Sequence, residues 1–162
     1  MKKIGIISDT HIPITASCLP CEILKAFQNV DLILHCGDLV DIKVLEDLKK
    51  LATVKAVAGN MDSQEVVSAL PQKEIIEIEK VKIGLIHGKG SPDNLIDYVN
   101  SQFDNDIDII VFGHSHQALS KKIKNKLYFN PGSPTDKRFA PYNSYGLIYI
   151  DSKEIKEKII KI

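Results

Sequence analysis

The chain has 162 residues, a length typical of one compact domain, and 44% of its residues are hydrophobic while 26% are charged. This composition is typical of a soluble globular protein. The 21 basic and 21 acidic residues cancel, which argues against a protein whose main task is to bind nucleic-acid phosphates or an anionic membrane surface.

The same counts bear on the cellular compartment. The apolar runs are far shorter than the ~20 residues that a membrane-spanning helix needs. Residues 1–4 lead directly into a strand-like run, which leaves no room for a signal peptide, and the three cysteines offer no disulfide framework. We therefore expect a cytoplasmic protein that forms a single domain over residues 1–162.

Short apolar runs alternate with segments of helical periodicity in the first two thirds of the chain. The pattern predicts buried strands at 4–7 and 107–112, further strands at 32–34 and 54–58, a strand that begins at Val81, and a half-exposed strand at 76–78. Helices are predicted at 20–27, at 41–48 with Asp41 as the N-cap, and at 91–103. The later chain reads as β, with a hairpin around Asn125, a long loop at 131–145 and a strand at 144–150. Residues 153–162 suit either a strand or a helix. The alternation of strands and helices over the earlier chain predicts an α/β fold.

Potential metal ligands follow five of the predicted strands, at the point where each strand ends. In chain order they are Asp9 and His11, Asp38, Asn60 and Asp62, His87, and His114 and His116. Because the carboxyl ends of parallel strands lie along one edge of a sheet, we expect these side chains to meet there. Four of the five histidines of the chain fall at these points, so the sequence predicts a metal site.

Five short motifs carry these residues: Asp9-Thr10-His11, Gly37-Asp38, Gly59-Asn60-Met61-Asp62, His87-Gly88 and Gly113-His114-Ser115-His116. In order and spacing they resemble the motifs of the calcineurin-like metallophosphoesterases. Asn130-Pro131-Gly132-Ser133, with Arg138 and Ser144-Tyr145 after it, resembles a signature of one branch of that family. This branch contains small bacterial and archaeal phosphodiesterases and the scaffold subunit of the eukaryotic retromer coat. The resemblance implies a four-layer α/β/β/α sandwich of two mixed sheets, with the metals at one edge.

The donor set of oxygens and imidazoles, without thiolate, suits Mn, Fe, Ni, Co or Zn. Seven ligands are too many for one ion, but they suit two ions if Asp38 bridges them. The resemblance implies that one metal is held by Asp9, His11, Asp38 and His116. It implies that the other metal is held by Asp38, Asn60, His87 and His114, which are also the expected catalytic residues. We expect two divalent ions per chain, Mn²⁺ first and Ni²⁺, Zn²⁺, Fe²⁺ or Co²⁺ as alternatives.

The charge of such a centre favours an anionic substrate. Two divalent ions bring four positive charges and two aspartates remove two, which leaves a net charge of about +2, or +1 with a bridging hydroxide. Metals ~3.5–4 Å apart activate a water and neutralise phosphoryl oxygens during in-line attack. We therefore predict a metal-dependent phosphoesterase, in the first place a phosphodiesterase that uses a metal-bridging hydroxide. The expected partner is a small phosphoester, with no membrane and no strong nucleic-acid signal, and homo-oligomer formation is left open.

Two alternatives remain because one position departs from the family pattern. Many members carry, directly after the motif asparagine, a histidine that protonates the leaving group, whereas this chain has Met61. The scaffold branch also lacks that histidine. A retromer-type interaction scaffold with little or no catalysis is therefore one alternative, and a phosphomonoesterase acting on a small metabolite is the other.

Further residues have weaker signals. Asp62 is predicted either to orient the Asn60 loop or to be a turn residue, and His35 either supports the centre or is a buried structural histidine. Gly132 and Ser133 are candidates to offer backbone N–H groups to a phosphate. Arg138 is a candidate to clamp the phosphate, or else an ordinary loop residue.

Overall fold

A computed structural model describes all residues of the chain, 1–162. Ten strands are present: β1 (Lys2–Ile7), β2 (Leu32–His35), β3 (Thr53–Ala56), β4 (Lys73–Ile78), β5 (Val81–Ile86), β6 (Ile109–Val111), β7 (Leu119–Ile123), β8 (Lys126–Asn130), β9 (Ser144–Asp151) and β10 (Glu154–Lys161). The helices are α1 (Cys21–Phe27), α2 (Ile42–Lys49), α3 (Gln64–Ala69) and α4 (Leu95–Ser101), the last preceded by a 3₁₀ turn at Pro92–Asn94.

The strands form two five-stranded mixed sheets. The first has the order β10-β9-β1-β2-β3, in which β1, β2 and β3 are parallel and β9 and β10 are antiparallel to their neighbours. The second has the order β4-β5-β6-β8-β7, in which β5, β6 and β8 are parallel and the two edge strands are antiparallel. The predicted α/β class with two mixed sheets is confirmed.

Three apolar cores separate four layers. Helices α1, α2 and α3 pack on the outer face of the first sheet, where Phe27 and Leu48 are fully buried. The two sheets face each other through a second core that includes Ile6 and Phe129. Helix α4 covers the outer face of the second sheet through residues such as Val99. The four-layer α/β/β/α arrangement therefore follows from strands that are apolar on both faces.

Close packing of α1 on β1 depends on a glycine in the strand. Gly5 lies against the ring of Phe27, and a Cβ at this position would come within 2.8 Å of the ring. Phe27 in turn meets Tyr145 of β9 edge-on, with the ring centroids 5.6 Å apart. Helix α1 thus lies directly on β1.

Several boundaries differ from the sequence expectation. Residues 154–161, for which strand and helix were both left open, form strand β10, and Ile155 and Ile159 pack against the core between the sheets. Helix α3 was not predicted: it has only six residues and is capped by Ser63, whose Oγ accepts the Val66 N–H. Helix α4 ends at Ser101, short of the predicted 103, although Phe103 still packs beside it.

The parallel strands of both sheets lead into the loops that carry the predicted motifs. These are the loops after β1, β2 and β3 and those after β5, β6 and β8. None of the helices is long and apolar enough to cross a membrane.

Candidate metal centre

All seven predicted ligands come together in one cluster at the carboxyl ends of the parallel strands. Asp9, His11 and His116 offer ligand atoms within 4.8 Å of one another, and Asp9, Asp38 and His87 form a second such group. Asn60 completes the cluster. Its Oδ1 lies 3.1 Å from Nε2 of His87 and 3.1 Å from Nδ1 of His114.

The backbone at these positions is unusual. Nine residues other than glycine have a positive φ, and five of them are predicted ligands: Asp9, His11, Asp38, His114 and His116. This left-handed conformation costs free energy for residues with a side chain, although aspartate and histidine tolerate it better than most. Its concentration at the ligands indicates that the loops are shaped to aim these side chains inward.

Two glycines let the loops approach each other. A Cβ at Gly59 would lie 2.5 Å from the backbone nitrogen of Asp38, and a Cβ at Gly113 would lie 2.7 Å from Oδ2 of Asp9. A side chain at either position would push the ligand loops apart. The glycines of the third and fifth motifs are therefore required by close packing inside the centre.

Hydrogen bonds fix the orientation of two imidazoles. Nδ1 of His87 lies 2.8 Å from the Cys36 carbonyl oxygen, and Nε2 of His114 lies 3.0 Å from the Gly90 carbonyl oxygen. When these nitrogens donate, the other nitrogen of each ring directs a lone pair at Asn60 Oδ1, which is itself an acceptor. A proton or a cation between these acceptors would remove the conflict, so the donor set fits a metal ion.

The electrostatics agree with a cation site. Burial raises the pKa of Asp9 to about 7, although the charge of His87 opposes the rise. Burial also disfavours a charged His87, but its hydrogen bond to Asp38 and the charges of Asp9 and Asp38 prevail and raise its pKa to about 9. Both carboxylates therefore favour a positive charge on His87 in the metal-free centre. A divalent ion would neutralise the same carboxylates in place of that positive charge.

Comparisons with known proteins agree with this geometry. The sequence profile described as the calcineurin-like phosphoesterase superfamily domain matches residues 1–153. The chain belongs to the calcineurin-like phosphoesterase superfamily. It is 40% identical over 98% of its length to a probable metallophosphoesterase, MJ0623, of Methanocaldococcus jannaschii, of which it covers 81%. It is 37% identical over 98% of its length to a probable metallophosphoesterase of Methanothermobacter thermautotrophicus, of which it covers 91%.

Solved structures of similar proteins show the same architecture. Vps29 from Entamoeba histolytica, in a structure described as its complex with zinc, is 26% identical, with a TM-score of 0.77 and 98% of each chain covered. A structure described as a novel archaeal phosphodiesterase is 25% identical, with a TM-score of 0.73, covering 98% of this chain and 99% of that one. The resemblance predicted from the motifs is therefore confirmed at the level of family and fold.

Two polar residues support the predicted ligands from outside the cluster. Asp62 accepts backbone N–H groups of Asp38, Val40 and Gly59, so it acts as an anchor of the loops after β2 and β3. His35 is fully buried: its Nδ1 accepts the Gly37 N–H, and its Nε2 lies 3.1 Å from the Thr10 hydroxyl. Both residues hold the backbone of the motifs and neither points into the pocket.

The predicted phosphate-binding residues divide into two groups. The Gly132 N–H already donates to Asn130 Oδ1, and the buried Ser133 donates its hydroxyl to the Asp9 carbonyl oxygen. Neither lines the pocket above the centre, so this arrangement does not place them against a phosphate. Ser133 ties the loop to the motif after β1, whereas Gly132 bonds within its own segment to Asn130. Arg138, by contrast, lies on the pocket wall with an exposed side chain.

An open pocket of about 370 Å³ gives access to the centre. Its wall combines the ligands with two large apolar side chains, Met61 and Phe139, which are 50% and 60% exposed. The structure also reveals a buried residue that the sequence reasoning missed. Asp136 lies between His116 and Arg138, and no motif pointed to it.

Proposed function

We propose that the chain is a phosphodiesterase that works with two divalent metal ions. The observation that carries the proposal is the position of Asp38 Oδ2, 3.6 Å from Nε2 of His11 and 3.4 Å from Nε2 of His87. These two histidines belong to different predicted metal sites. Oδ1 of Asp38 accepts the Met61 N–H at 2.7 Å, which leaves Oδ2 directed at both of them.

Asp9 suits a terminal role better than a bridging one. It is fully buried, and both of its oxygens face the backbone N–H of His114, at 3.3 and 3.1 Å. On this assignment the first ion would be held by Asp9, His11, Asp38 and His116, and the second by Asp38, Asn60, His87 and His114. Mn²⁺ is the ion we expect first, and Ni²⁺, Zn²⁺, Fe²⁺ and Co²⁺ are alternatives, because oxygen and imidazole donors without thiolate suit all of them.

Metal ions at such a centre supply an activated water and neutralise charge on the phosphoryl oxygens. The chain itself contributes the binding and orientation of the ester. Arg138 on the pocket wall offers a planar guanidinium to a phosphate oxygen. Met61 and Phe139 offer apolar surface to the organic group of the ester. Because the pocket is open and no histidine stands at position 61, we expect small diesters with good leaving groups as substrates.

The proposal is tested with protein that has been stripped of metal by a chelator and then supplied with Mn²⁺, Ni²⁺ or Zn²⁺ in parallel. An aryl phosphodiester and the matching aryl phosphomonoester serve as substrates, and bound metal is counted in the same samples. We expect two ions per chain and faster hydrolysis of the diester, with no turnover in the metal-free sample. Faster hydrolysis of the monoester would favour the phosphomonoesterase alternative.

The interaction scaffold is the second candidate because of the likeness to Vps29 and the missing histidine at position 61. The same experiment separates it from the enzyme. A chain that binds two ions but hydrolyses neither ester would be assigned to the scaffold function. Full occupancy by a single ion at saturating metal would instead overturn the binuclear mechanism.

A further inference from the structure

The loop between β8 and β9, residues 131–143, folds onto the motif that follows β1. The Ser133 hydroxyl donates to the Asp9 carbonyl oxygen at 2.7 Å, and the Thr135 hydroxyl donates to the Thr10 carbonyl oxygen at 2.7 Å. Ser133 Oγ also accepts the Asp136 N–H at 2.9 Å. Together these bonds carry Asp136 into the interior, where it is only 3% exposed.

The buried carboxylate of Asp136 faces a metal-ligand histidine on one side. Its Oδ2 lies 3.3 Å from Nδ1 of His116. This nitrogen is buried and makes no well-aligned hydrogen bond, and the Asp136 carboxylate is the charged group beside it. The other nitrogen of the ring, Nε2, points towards Asp9 and His11, at 3.4 Å from Asp9 Oδ1 and 3.2 Å from His11 Nε2.

On its other side the same carboxylate holds Arg138. Nη2 of Arg138 donates to Oδ2 at 2.6 Å, Nε donates to the same oxygen at 2.9 Å, and the Arg138 backbone N–H donates to Oδ1 at 2.9 Å. The guanidinium uses Nε and Nη2 for this contact, which leaves the N–H groups of Nη1 for a ligand. The ring of Phe139 packs beside His116 and Arg138. Its centroid lies 5.3 Å from that of His116 and 5.6 Å from Cζ of Arg138.

We propose that Asp136 is a positioning residue that holds His116 for the metal and Arg138 for the substrate phosphate. The first task depends only on metal binding, whereas the second rests on the proposed function. A carboxylate at Nδ1 stabilises the tautomer in which Nδ1 carries the proton, so Nε2 presents a lone pair to the metal. A carboxylate at Nε and Nη2 fixes the plane of a guanidinium that is otherwise 61% exposed.

The first task is tested on metal binding, without a substrate. Asp136→Asn keeps the size of the side chain and removes its charge. We expect it to weaken Co²⁺ binding by about 10- to 100-fold and to change the visible absorption spectrum of the Co²⁺-loaded protein. Asp108→Asn is the matched control, because Asp108 also accepts a backbone N–H, that of Lys82, but lies before β6 at the far end of the sheet. Wild-type affinity and spectrum in Asp136→Asn would overturn the first task.

A measurement on the unmodified protein covers the case in which the variant does not fold. Long-range ¹H–¹⁵N correlation spectra of the metal-free wild type report which nitrogen of His116 carries the proton. We expect the proton on Nδ1, facing Asp136. A neutral ring with its proton on Nε2 would contradict the proposal directly.

The second task is tested by combining variants. Arg138→Gln should raise KM for the diester and weaken the binding of inorganic phosphate to the metal-loaded protein, without a change in Co²⁺ affinity. At a metal concentration that saturates every variant, the double variant should bind phosphate about as weakly as whichever single variant binds it less tightly, if Asp136 acts on phosphate through Arg138. Effects that multiply in the double variant would overturn this link. Because phosphate binding is measured without turnover, a chain with no esterase activity still gives an answer.

Discussion

The carboxylate of Asp62 accepts the backbone N–H of Asp38 at 3.1 Å, so a residue after β3 fixes a residue after β2. The same oxygen accepts the Gly59 N–H at 2.7 Å, and the other oxygen accepts the Val40 N–H at 2.6 Å. Asp38 and Val40 both have a positive φ, which is unfavourable for a β-branched valine in particular. Asp62 therefore stabilises a backbone that would not hold this shape alone.

Asp62→Ala should destabilise the metal-free protein by roughly 2–4 kcal/mol, because three backbone donors lose a charged acceptor. Asp41→Ala is the control, since Asp41 accepts one backbone N–H, that of Lys43, at the start of α2 and should cost about 1 kcal/mol. Urea unfolding of the two variants measures the difference. Asp62→Asn should fall between Asp62→Ala and the wild type, because its amide keeps only one acceptor oxygen. Equal losses in Asp62→Ala and Asp41→Ala would contradict the anchoring role.

The ligand cluster was predictable because the strand topology determines where the predicted ligands lie. Buried strands such as β1 and β6 can be recognised in the sequence as apolar runs. In a parallel sheet the carboxyl ends of such strands lie along the same edge. A polar residue directly after each run therefore falls at the same place. The structure brings all seven predicted ligands together there, although their residues are up to 107 positions apart between Asp9 and His116.

The supporting contacts were not predictable in the same way. The carbonyl groups of Cys36 and Gly90, which orient two imidazoles, carry no signal in a sequence because every residue has one. Asp136 lies in a loop, where neither helical nor strand periodicity says which side chains turn inward. Burial of Ser133 depends on the same loop path, so the sequence did not show that its hydroxyl donates to the Asp9 carbonyl oxygen. The C-terminal strand was ambiguous because Ile155, Ile159 and Ile162 also fit one face of a helix.

Two alanine variants separate the bridging carboxylate from a terminal ligand. Asp38→Ala removes an oxygen that faces both predicted sites, whereas His116→Ala removes a ligand from one. We expect both variants to lose activity, and we expect bound metal to fall further in Asp38→Ala. Metal analysis after loading and dialysis gives the comparison. Two ions retained in Asp38→Ala, or wild-type activity, would refute the assignment of this residue.

Stability should decrease in mildly acidic solution because of His35. Burial lowers the pKa of His35 to about 3, with the charge of His87 adding to the effect. Since its unfolded pKa is near 6.5, the unfolded chain binds a proton between these values that the folded chain does not. The free energy of unfolding therefore falls as the pH drops below about 6.5, with a slope approaching 1.4 kcal/mol per pH unit.

The contribution of His35 is isolated by comparing the metal-free wild type with His35→Asn from pH 7 to pH 4.5. The amide oxygen of asparagine can replace Nδ1 as the acceptor of the Gly37 N–H, which lies 3.1 Å away, but it does not titrate. We expect the variant to be less stable at pH 7 and to lose stability less steeply as the pH falls. Parallel curves for the two proteins would show that His35 does not take up a proton on unfolding.

The side chain at position 61 should determine how the rate of ester hydrolysis depends on the pKa of the leaving group. The Met61 N–H donates to Asp38 Oδ1 at 2.7 Å, so the backbone is fixed, and the Met61 side chain lines the pocket with 50% of its surface exposed. A thioether cannot donate a proton, whereas a general acid typically contributes ~10²–10⁴-fold to the rate. Esters of acidic phenols need little protonation, but alkyl esters need a great deal. We therefore expect kcat/KM to fall steeply as the pKa of the leaving group rises.

Met61→His would place an imidazole at the pocket wall on a backbone that is already held by Asp38. We expect this variant to flatten the dependence on leaving-group pKa, chiefly by accelerating the esters of weakly acidic phenols. Met61→Leu, which is apolar and similar in size, is the control and should keep the wild-type slope. A series of aryl phosphodiesters that differ only in the ring substituent of the leaving group provides the measurement. A shallow slope in the wild type would show that another group donates the proton. Arg138 is not a candidate for that group, because a guanidinium stays protonated in proteins.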